Sequence, residues 1–180
     1  LPRPKEDTDR AIRRNARDIL REFVMTFVSF FAKKQIIIAV LFLLLFRLPE
    51  ALLTPVSQLF LQALPSKGGL GLSPQEFGLV NGTIGVIGFL VGGVIGGMLI
   101  SRDGLKKWLW PMTLAITIPN LTYVYLAYVM PENLMLINVC VAIENLGYGF
   151  GFSAYMLFMI YFSQGEHKTS HYALCTGFMA

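Results

Sequence analysis

Four long apolar blocks, separated by short polar connections, constrain the fold of this chain more than any other feature. Each block is long enough to cross the hydrocarbon core of a bilayer, which takes about 20 helical residues. Inside lipid every backbone polar group must be satisfied within the chain, so these blocks are expected to be helices. The predicted crossings are residues 36–64, 74–100, 107–130 and 133–162, and a further helix starts near residue 169. This pattern predicts an all-α polytopic membrane protein.

Composition supports the membrane assignment. Hydrophobic residues make up 54% of the 180 residues and charged residues 14%, whereas soluble domains carry roughly 25% charged residues. The chain begins at Leu1, and no signal peptide precedes the first crossing. We therefore expect both ends to be cut from a longer protein.

The distribution of basic residues predicts the orientation in the membrane. Residues 1–34 carry nine Lys or Arg against five Asp or Glu, and the loop after the second crossing carries Arg102, Lys106 and Lys107. Short loops rich in Lys and Arg stay on the cytoplasmic side. Residues 1–34 and this loop are therefore predicted to be cytoplasmic, and residues 65–73 and 131–132 to lie outside.

Residues 1–34 are predicted to contain a basic amphipathic helix, over residues 8–31. Phe23, Phe27 and Phe30 recur at helical spacing, with arginines between the apolar positions. Such a helix lies in the lipid interface and is attracted to anionic headgroups. Because the basic charge is confined to this membrane-adjacent segment, the lipid bilayer is the expected partner, and nucleic acid is not.

The first crossing carries a polar stripe. At 100° per residue, its polar side chains fall within roughly 140° of arc, opposite Leu, Ile, Val and Phe. They are Arg47, Glu50, Thr54, Ser57, Gln58 and Gln62. Two interpretations stay open: the stripe lines a water-filled cavity, or Arg47 and Glu50 neutralise each other at i and i+3.

The second crossing begins with a capping box, Ser73 to Glu76, and continues as a glycine seam. In lipid, glycine lets two helix backbones approach closely, and van der Waals packing drives the association. The seam is therefore predicted to be a packing surface. Its members are Gly78, Gly82, Gly85, Gly88, Gly92 and Gly96.

Glu144 lies in the middle of the fourth crossing, on one face with Tyr148 and Tyr155. An ionisable group at bilayer depth is costly and by default marks a polar pathway. Apolar surroundings favour the protonated form of a carboxyl group, so Glu144 is a candidate proton site. The alternative is an ion pair with a basic residue outside this chain.

Enzyme and metal signatures are missing from the sequence. His167 and His171 are four residues apart but have no third ligand in the pattern. We expect no enzyme activity, no metal site and no cofactor. An intramembrane enzyme using Glu144 and Tyr148 and a sensory or scaffolding membrane protein remain as alternative classes; the latter would tolerate Glu144→Gln.

The loop between the second and third crossings resembles the cytoplasmic loop signature of the major facilitator superfamily. Ser101 stands where that signature has Asp, and Asp103 is a candidate substitute two residues later. The matching residues are Gly97, Arg102, Asp103, Gly104, Lys106 and Lys107.

Within that superfamily, three stretches resemble the muropeptide permeases of the AmpG type. They are residues 45–51, 77–85 and 142–151, with a further similarity at residues 171–174. The resemblance implies a helical bundle of major facilitator type. The four crossings would be transmembrane helices 7–10, the last segment the start of helix 11, and residues 1–34 the linker from a missing N-terminal six-helix half.

The same resemblance implies a symporter of the bacterial inner membrane that imports anhydromuropeptides with protons for peptidoglycan recycling. The alternative is a major facilitator transporter of another solute: acetyl-CoA, a sugar or a drug-like compound. Glu50 and Glu144 are the proton-coupling candidates, and Arg47 has the fork geometry that suits a substrate carboxylate. Further candidates for substrate binding are Gln58, Asn81, Asn145, Tyr148 and Tyr155.

Overall fold

The fold was obtained as a computed structural model, which describes residues 16–165 and 167–178. The described residues form helices and connections without a strand. Four helices are long and apolar enough to cross a membrane. The predicted fold class, an all-α polytopic membrane protein, is confirmed.

The helices begin and end close to the predicted positions. The first to fourth membrane helices are Ile36–Gln62, Pro74–Asp103, Leu105–Val129 and Leu134–Ser163. An N-terminal helix, Ala16–Phe31, precedes them, and a last helix, Lys168–Gly177, follows. The amphipathic helix predicted from residue 8 is therefore visible only from Ala16, and its earlier part lies outside the described residues. The last helix begins at Lys168, one residue before the predicted start.

Two membrane helices contain turns that the sequence pattern did not predict. The second begins with the predicted Ser73–Glu76 capping box and then passes through a π-helical segment, Gly78–Gly85. The third contains a 3₁₀ turn, Ile118–Asn120, which includes a proline that cannot donate a backbone hydrogen bond. Such irregular turns shift which side chains share a face, and they are frequent at functional sites.

The fourth membrane helix is the centre of the bundle, packed against the second and third helices along much of their length and against the last helix. Glycines permit the closest approach. A Cβ added at Gly92 would lie 2.1 Å from the Leu146 carbonyl oxygen, and one at Gly149 would lie 2.0 Å from that of Phe89. The second and fourth helices therefore touch backbone to backbone, as the glycine seam predicted.

Only part of the predicted seam makes this contact. Gly88, Gly92 and Gly96 face the fourth helix closely, whereas Cβ atoms added at Gly78 and Gly82 would meet no described atom within 4 Å. The difference follows the π-helical segment, which contains Gly78 and Gly82 and ends where the regular helix begins. The closest backbone packing is thus in the α-helical part, and Gly85, at the end of the π-helical segment, contacts the Asn145 side chain.

Large apolar side chains cover the outside of the bundle. Ile37, Leu59 and Trp110 are each at least 70% exposed, and further Leu, Ile and Val side chains on all four membrane helices are exposed by about half. A soluble protein would not present so much contiguous apolar surface. This exterior matches the hydrocarbon core of a bilayer.

Glycine packing predicts a strong contrast between two neighbouring substitutions. Gly92→Ala should destabilise the protein by about 1–3 kcal/mol, because the new methyl group collides with backbone of the fourth helix. Gly93→Ala is the matched control, since its Cβ would lie 3.8 Å from the nearest described atom, an ordinary contact. Thermal unfolding of the full-length protein in detergent measures both. Equal stability of the two variants would contradict the packing described.

Candidate functional site

A polar cavity of about 210 Å³ lies between the first and fourth membrane helices, bordered by the second and third. It is lined by Arg47, Glu50, Thr54, Ser57, Gln58, Asn81, Tyr123, Glu144, Asn145 and Tyr148. Five of these side chains come from the first helix, at the spacing that places them on one face. The structure thus brings the polar stripe of the first helix together with Glu144 of the fourth.

The first helix positions its acid through a neighbouring hydroxyl. The Thr54 Oγ1 hydroxyl lies 2.9 Å from Glu50 Oε1, one helical turn away. Glu50 is 6% exposed, and its second oxygen, Oε2, is buried without a hydrogen-bond partner in the described part of the chain. One carboxyl oxygen therefore has a hydrogen-bond partner, whose hydroxyl also lies 2.9 Å from the Glu50 carbonyl oxygen, and the other has none in the described part of the chain.

The fourth helix positions its acid in a similar way. Asn145 Nδ2 donates to Glu144 Oε2 at 2.7 Å and to the Val141 carbonyl oxygen at 3.0 Å. Glu144 itself is 5% exposed. The amide side chain uses both of its hydrogens and so holds the carboxyl group in one orientation.

Arg47 connects the two helices through a tyrosine. Its Nη1 donates to the Tyr148 hydroxyl at 2.5 Å, and the guanidinium carbon lies 5.9 Å from the centroid of that ring. The tyrosine ring is in turn packed between Phe89 and Phe152. Arg47 Nε is buried without a hydrogen-bond partner among the described residues.

Arg47 and Glu50 line the cavity and do not form a salt bridge with each other. Within residues 16–165 and 167–178, Glu50 and Glu144 form no salt bridge with a basic side chain. Arg47 is directed to Tyr148 and Glu50 to Thr54 instead. The cavity therefore contains two carboxyl groups and one guanidinium that does not neutralise either by direct pairing.

Tyr155, another predicted binding residue, lies outside the cavity. It is fully buried, its ring stacks on Phe46 with centroids 5.1 Å apart, and its hydroxyl donates to the Leu43 carbonyl oxygen at 3.2 Å. Gln62, from the predicted stripe, is also outside; its amide donates to the Gln58 carbonyl oxygen. Aromatic packing at Tyr155 closes one end of the gap between the first and fourth helices.

Tyr123 lines the cavity although the sequence did not single it out. It is 9% exposed and follows the 3₁₀ turn of the third helix. Asn120, three residues earlier, shares its helical face, but Leu126 and Ala127 on the following turn are apolar. The sequence therefore carried only a weak signal for this residue.

The residues that resemble the cytoplasmic signature lie at the junction of the second and third helices, which are separated by Gly104 alone. The helix ends at Asp103, and Gly104 has φ of 85°, a conformation that favours glycine. Asp103 Oδ2 accepts hydrogen bonds from Lys107 Nζ and Trp108 Nε1, both at 3.0 Å. Arg102 and Lys106 are exposed. Asp103 thus ties the end of the second helix to the start of the third, and none of the signature residues lines the cavity.

Comparison with known proteins finds relatives that are named as AmpG-type transporters and permeases. It is 27% identical over 146 residues to a transporter of Rickettsia prowazekii named AmpG 1, covering 80% of this chain and 31% of the relative. It is 26% identical over 152 residues to the anhydromuropeptide permease of Escherichia coli K12, covering 84% of this chain and 30% of the permease. The chain is related to AmpG-type permeases.

An AmpG 4 transporter of Rickettsia conorii is similar at 24% identity over 148 residues. No family model and no solved structure matches the chain. The chain spans about a third of the length of the curated relatives it matches. The predicted resemblance to AmpG-type permeases is confirmed, and the four apolar helices support a multi-pass membrane protein.

The cavity predicts different reactivity at two adjacent positions of the first helix. In membrane vesicles, a thiol introduced by Gln58→Cys should react with a charged methanethiosulfonate at least about tenfold faster than one from Leu59→Cys, because the reactive thiolate forms only in contact with water. Gln58 lines the cavity, while Leu59 is on the apolar exterior. Cys140 and Cys175 are buried and give a low background. Equal rates would show that the polar stripe does not border water.

Proposed function

We propose that this chain is part of the C-terminal half of a major facilitator transporter that imports anhydromuropeptides together with protons. The observation that carries the proposal is the meeting of two carboxyl groups, one guanidinium and several amides and hydroxyls inside an apolar bundle. The names of the relatives support the cargo. Buried ionisable groups in membrane helices mark substrate and proton pathways in general.

The proposed placement follows the major facilitator plan. The four membrane helices would be helices 7–10, the last helix the start of helix 11, and residues 1–34 a cytoplasmic linker in the bacterial inner membrane. An N-terminal six-helix half would cover the cavity from the opposite side. In such transporters the substrate lies between two halves that rock about a site near the bilayer midplane.

Arg47 is the proposed contact for a carboxylate of the muropeptide. Its guanidinium is held by Tyr148, while Nε has no partner among the described residues. Gln58, Asn81 and Asn145 supply amides that suit sugar hydroxyls and peptide groups. Arg47 is the single cation among the residues that line the cavity. A nucleotide cargo such as acetyl-CoA would require several cations, so this composition favours the muropeptide.

Proton coupling is proposed from the charge balance of the cavity. Burying a charge without a partner is costly, and two ionised carboxylates would share a small space with one guanidinium. A proton on Glu50 or Glu144 would leave one anion and one cation. Exchange of that proton with the two sides of the membrane could then accompany movement of the substrate.

The first test is uptake of labelled anhydromuropeptide by the full-length protein in proteoliposomes, with and without an imposed proton gradient. Glu144→Gln should abolish gradient-driven accumulation and retain exchange of labelled for unlabelled substrate, because the amide keeps the shape of the side chain but cannot carry a proton. Glu76→Gln is the matched control, since Glu76 belongs to the capping box and glutamine also fits that role. Gradient-driven accumulation by the Glu144→Gln variant would make this residue structural, and a folded wild type without uptake would contradict the cargo.

A second test separates Tyr148 from Tyr155. Tyr148→Phe should raise the KM for uptake by roughly tenfold, because a hydrogen bond to a charged group is worth about 1.5–3 kcal/mol and Arg47 loses its fixed position. Tyr155→Phe removes a hydroxyl that faces the Leu43 backbone and should leave KM unchanged. A larger effect at Tyr155 would support the original sequence prediction for that residue and contradict the proposed boundary of the site.

A further inference from the structure

The N-terminal helix, Ala16–Phe31, has one side buried against the bundle. Phe30 is 0% exposed, and its ring contacts the rings of Phe162, His171 and Phe178 at centroid distances between 5.5 and 6.3 Å. Thr26, one turn earlier, is 9% exposed. This side of the helix is therefore packed against the end of the fourth membrane helix and against the last helix.

Polar contacts fix the same side. Lys33 Nζ donates to the Phe162 carbonyl oxygen and to that of Gln164, at 2.5 and 2.9 Å. These carbonyls belong to the end of the fourth helix, where backbone acceptors lack helical partners and a cation is favourable. Ser29 Oγ lies 3.0 Å from His171 Nε2. The helix is thus clamped to the bundle at the level where the fourth membrane helix ends.

The opposite side of the helix is apolar and exposed. Its six large side chains are each between 52% and 63% exposed. They are Leu20, Phe23, Val24, Met25, Val28 and Phe31. A patch of this kind is unfavourable in water and marks a contact with lipid or with another protein.

We infer that this exposed apolar side lies in the interfacial layer of the same bilayer, so that the N-terminal helix is an interfacial helix clamped to the transporter. Only residues 32–35 separate it from the first membrane helix, and Gln35, with φ of 65°, ends that connection. The short connection and the Lys33 clamp hold the helix beside the ends of membrane-crossing helices. Residues 1–34 also carry the whole net positive charge of the chain, four, which suits anionic headgroups.

Two observations favour lipid over a protein segment as the contact of this exposed apolar side. The apolar side chains continue into the lipid-facing surface of the first membrane helix, where Ile37 and Ile38 are 72% and 65% exposed. Arg21 and Lys34 are exposed at the two ends of the patch. An apolar side flanked by cations is the pattern of an interfacial helix. The inference is independent of the cargo and of proton coupling.

Nitroxide labels measure the environment of this side directly. Val24→Cys and Val28→Cys would be labelled singly in the full-length protein and reconstituted in phosphatidylethanolamine–phosphatidylglycerol vesicles, with Ser66→Cys in the outer loop as the aqueous control. Labels at 24 and 28 should collide more with oxygen than with a water-soluble nickel complex, and the label at 66 should do the reverse. Preferential collision with nickel, or protection from both reagents by a covering protein segment, would overturn the inference.

A second lysine, outside the proposed lipid-facing surface, provides the control for the clamp. In the Val28-labelled protein, Lys33→Ala should increase label mobility, because both bonds to the fourth helix are lost. Lys67→Ala should not, since Lys67 is exposed and lies beyond the other end of the first membrane helix. Ser29→Ala, which removes the contact with His171, is the second variant if Lys33→Ala does not fold. Unchanged mobility in both Lys33→Ala and Ser29→Ala would overturn the clamp.

Discussion

The backbone contact between the second and fourth membrane helices is the constraint on which the rest of the structure depends. Lipid provides no hydrophobic driving force between helices, so close van der Waals packing must supply the association. Gly92 and Gly149 make this possible reciprocally, since an added Cβ at either would lie about 2 Å from a carbonyl oxygen of the other helix. Gly85 extends the contact to the site, because its missing side chain leaves room for the Asn145 amide that donates to Glu144.

The cavity follows from the different sizes of side chains around the fourth helix. Gly147 and Gly151 bring it close to the third helix, where added Cβ atoms would lie 2.3 and 2.5 Å from carbonyl oxygens. Toward the first helix it presents Tyr148 and Tyr155 instead. Large side chains keep these two backbones apart, and the gap is filled by aromatic rings at one level and by polar groups at the next. The site is therefore a consequence of asymmetric packing around one helix.

Helical periodicity predicted most of the site because it depends on the chain alone. Arg47, Glu50 and Gln58 share a face at 100° per residue whatever packs against them, and the same holds for Glu144 and Tyr148. Periodicity does not specify the depth at which a cavity ends. Tyr155 shares the face of Tyr148 but lies two turns further along, where Phe46 and Leu43 of the first helix occupy the space.

Irregular turns account for two features that periodicity did not predict, because such turns rotate residues relative to an ideal helix. The 3₁₀ turn at Ile118–Asn120 precedes Tyr123, and the π-helical segment Gly78–Gly85 contains Gly78 and Gly82, which do not pack against the fourth helix. The cavity combines groups that have hydrogen-bond partners with groups that have none. Thr54 and Asn145 each contact one oxygen of a carboxyl group. Glu50 Oε2 and Arg47 Nε have no hydrogen-bond partner among the described residues. A ligand shifts a conformational equilibrium only if it binds one state more strongly than another. Under the proposed function, a state that pairs these buried groups with a proton, a substrate or an opposing helix would be favoured over one that leaves them unpaired, because an unpaired buried charge is costly.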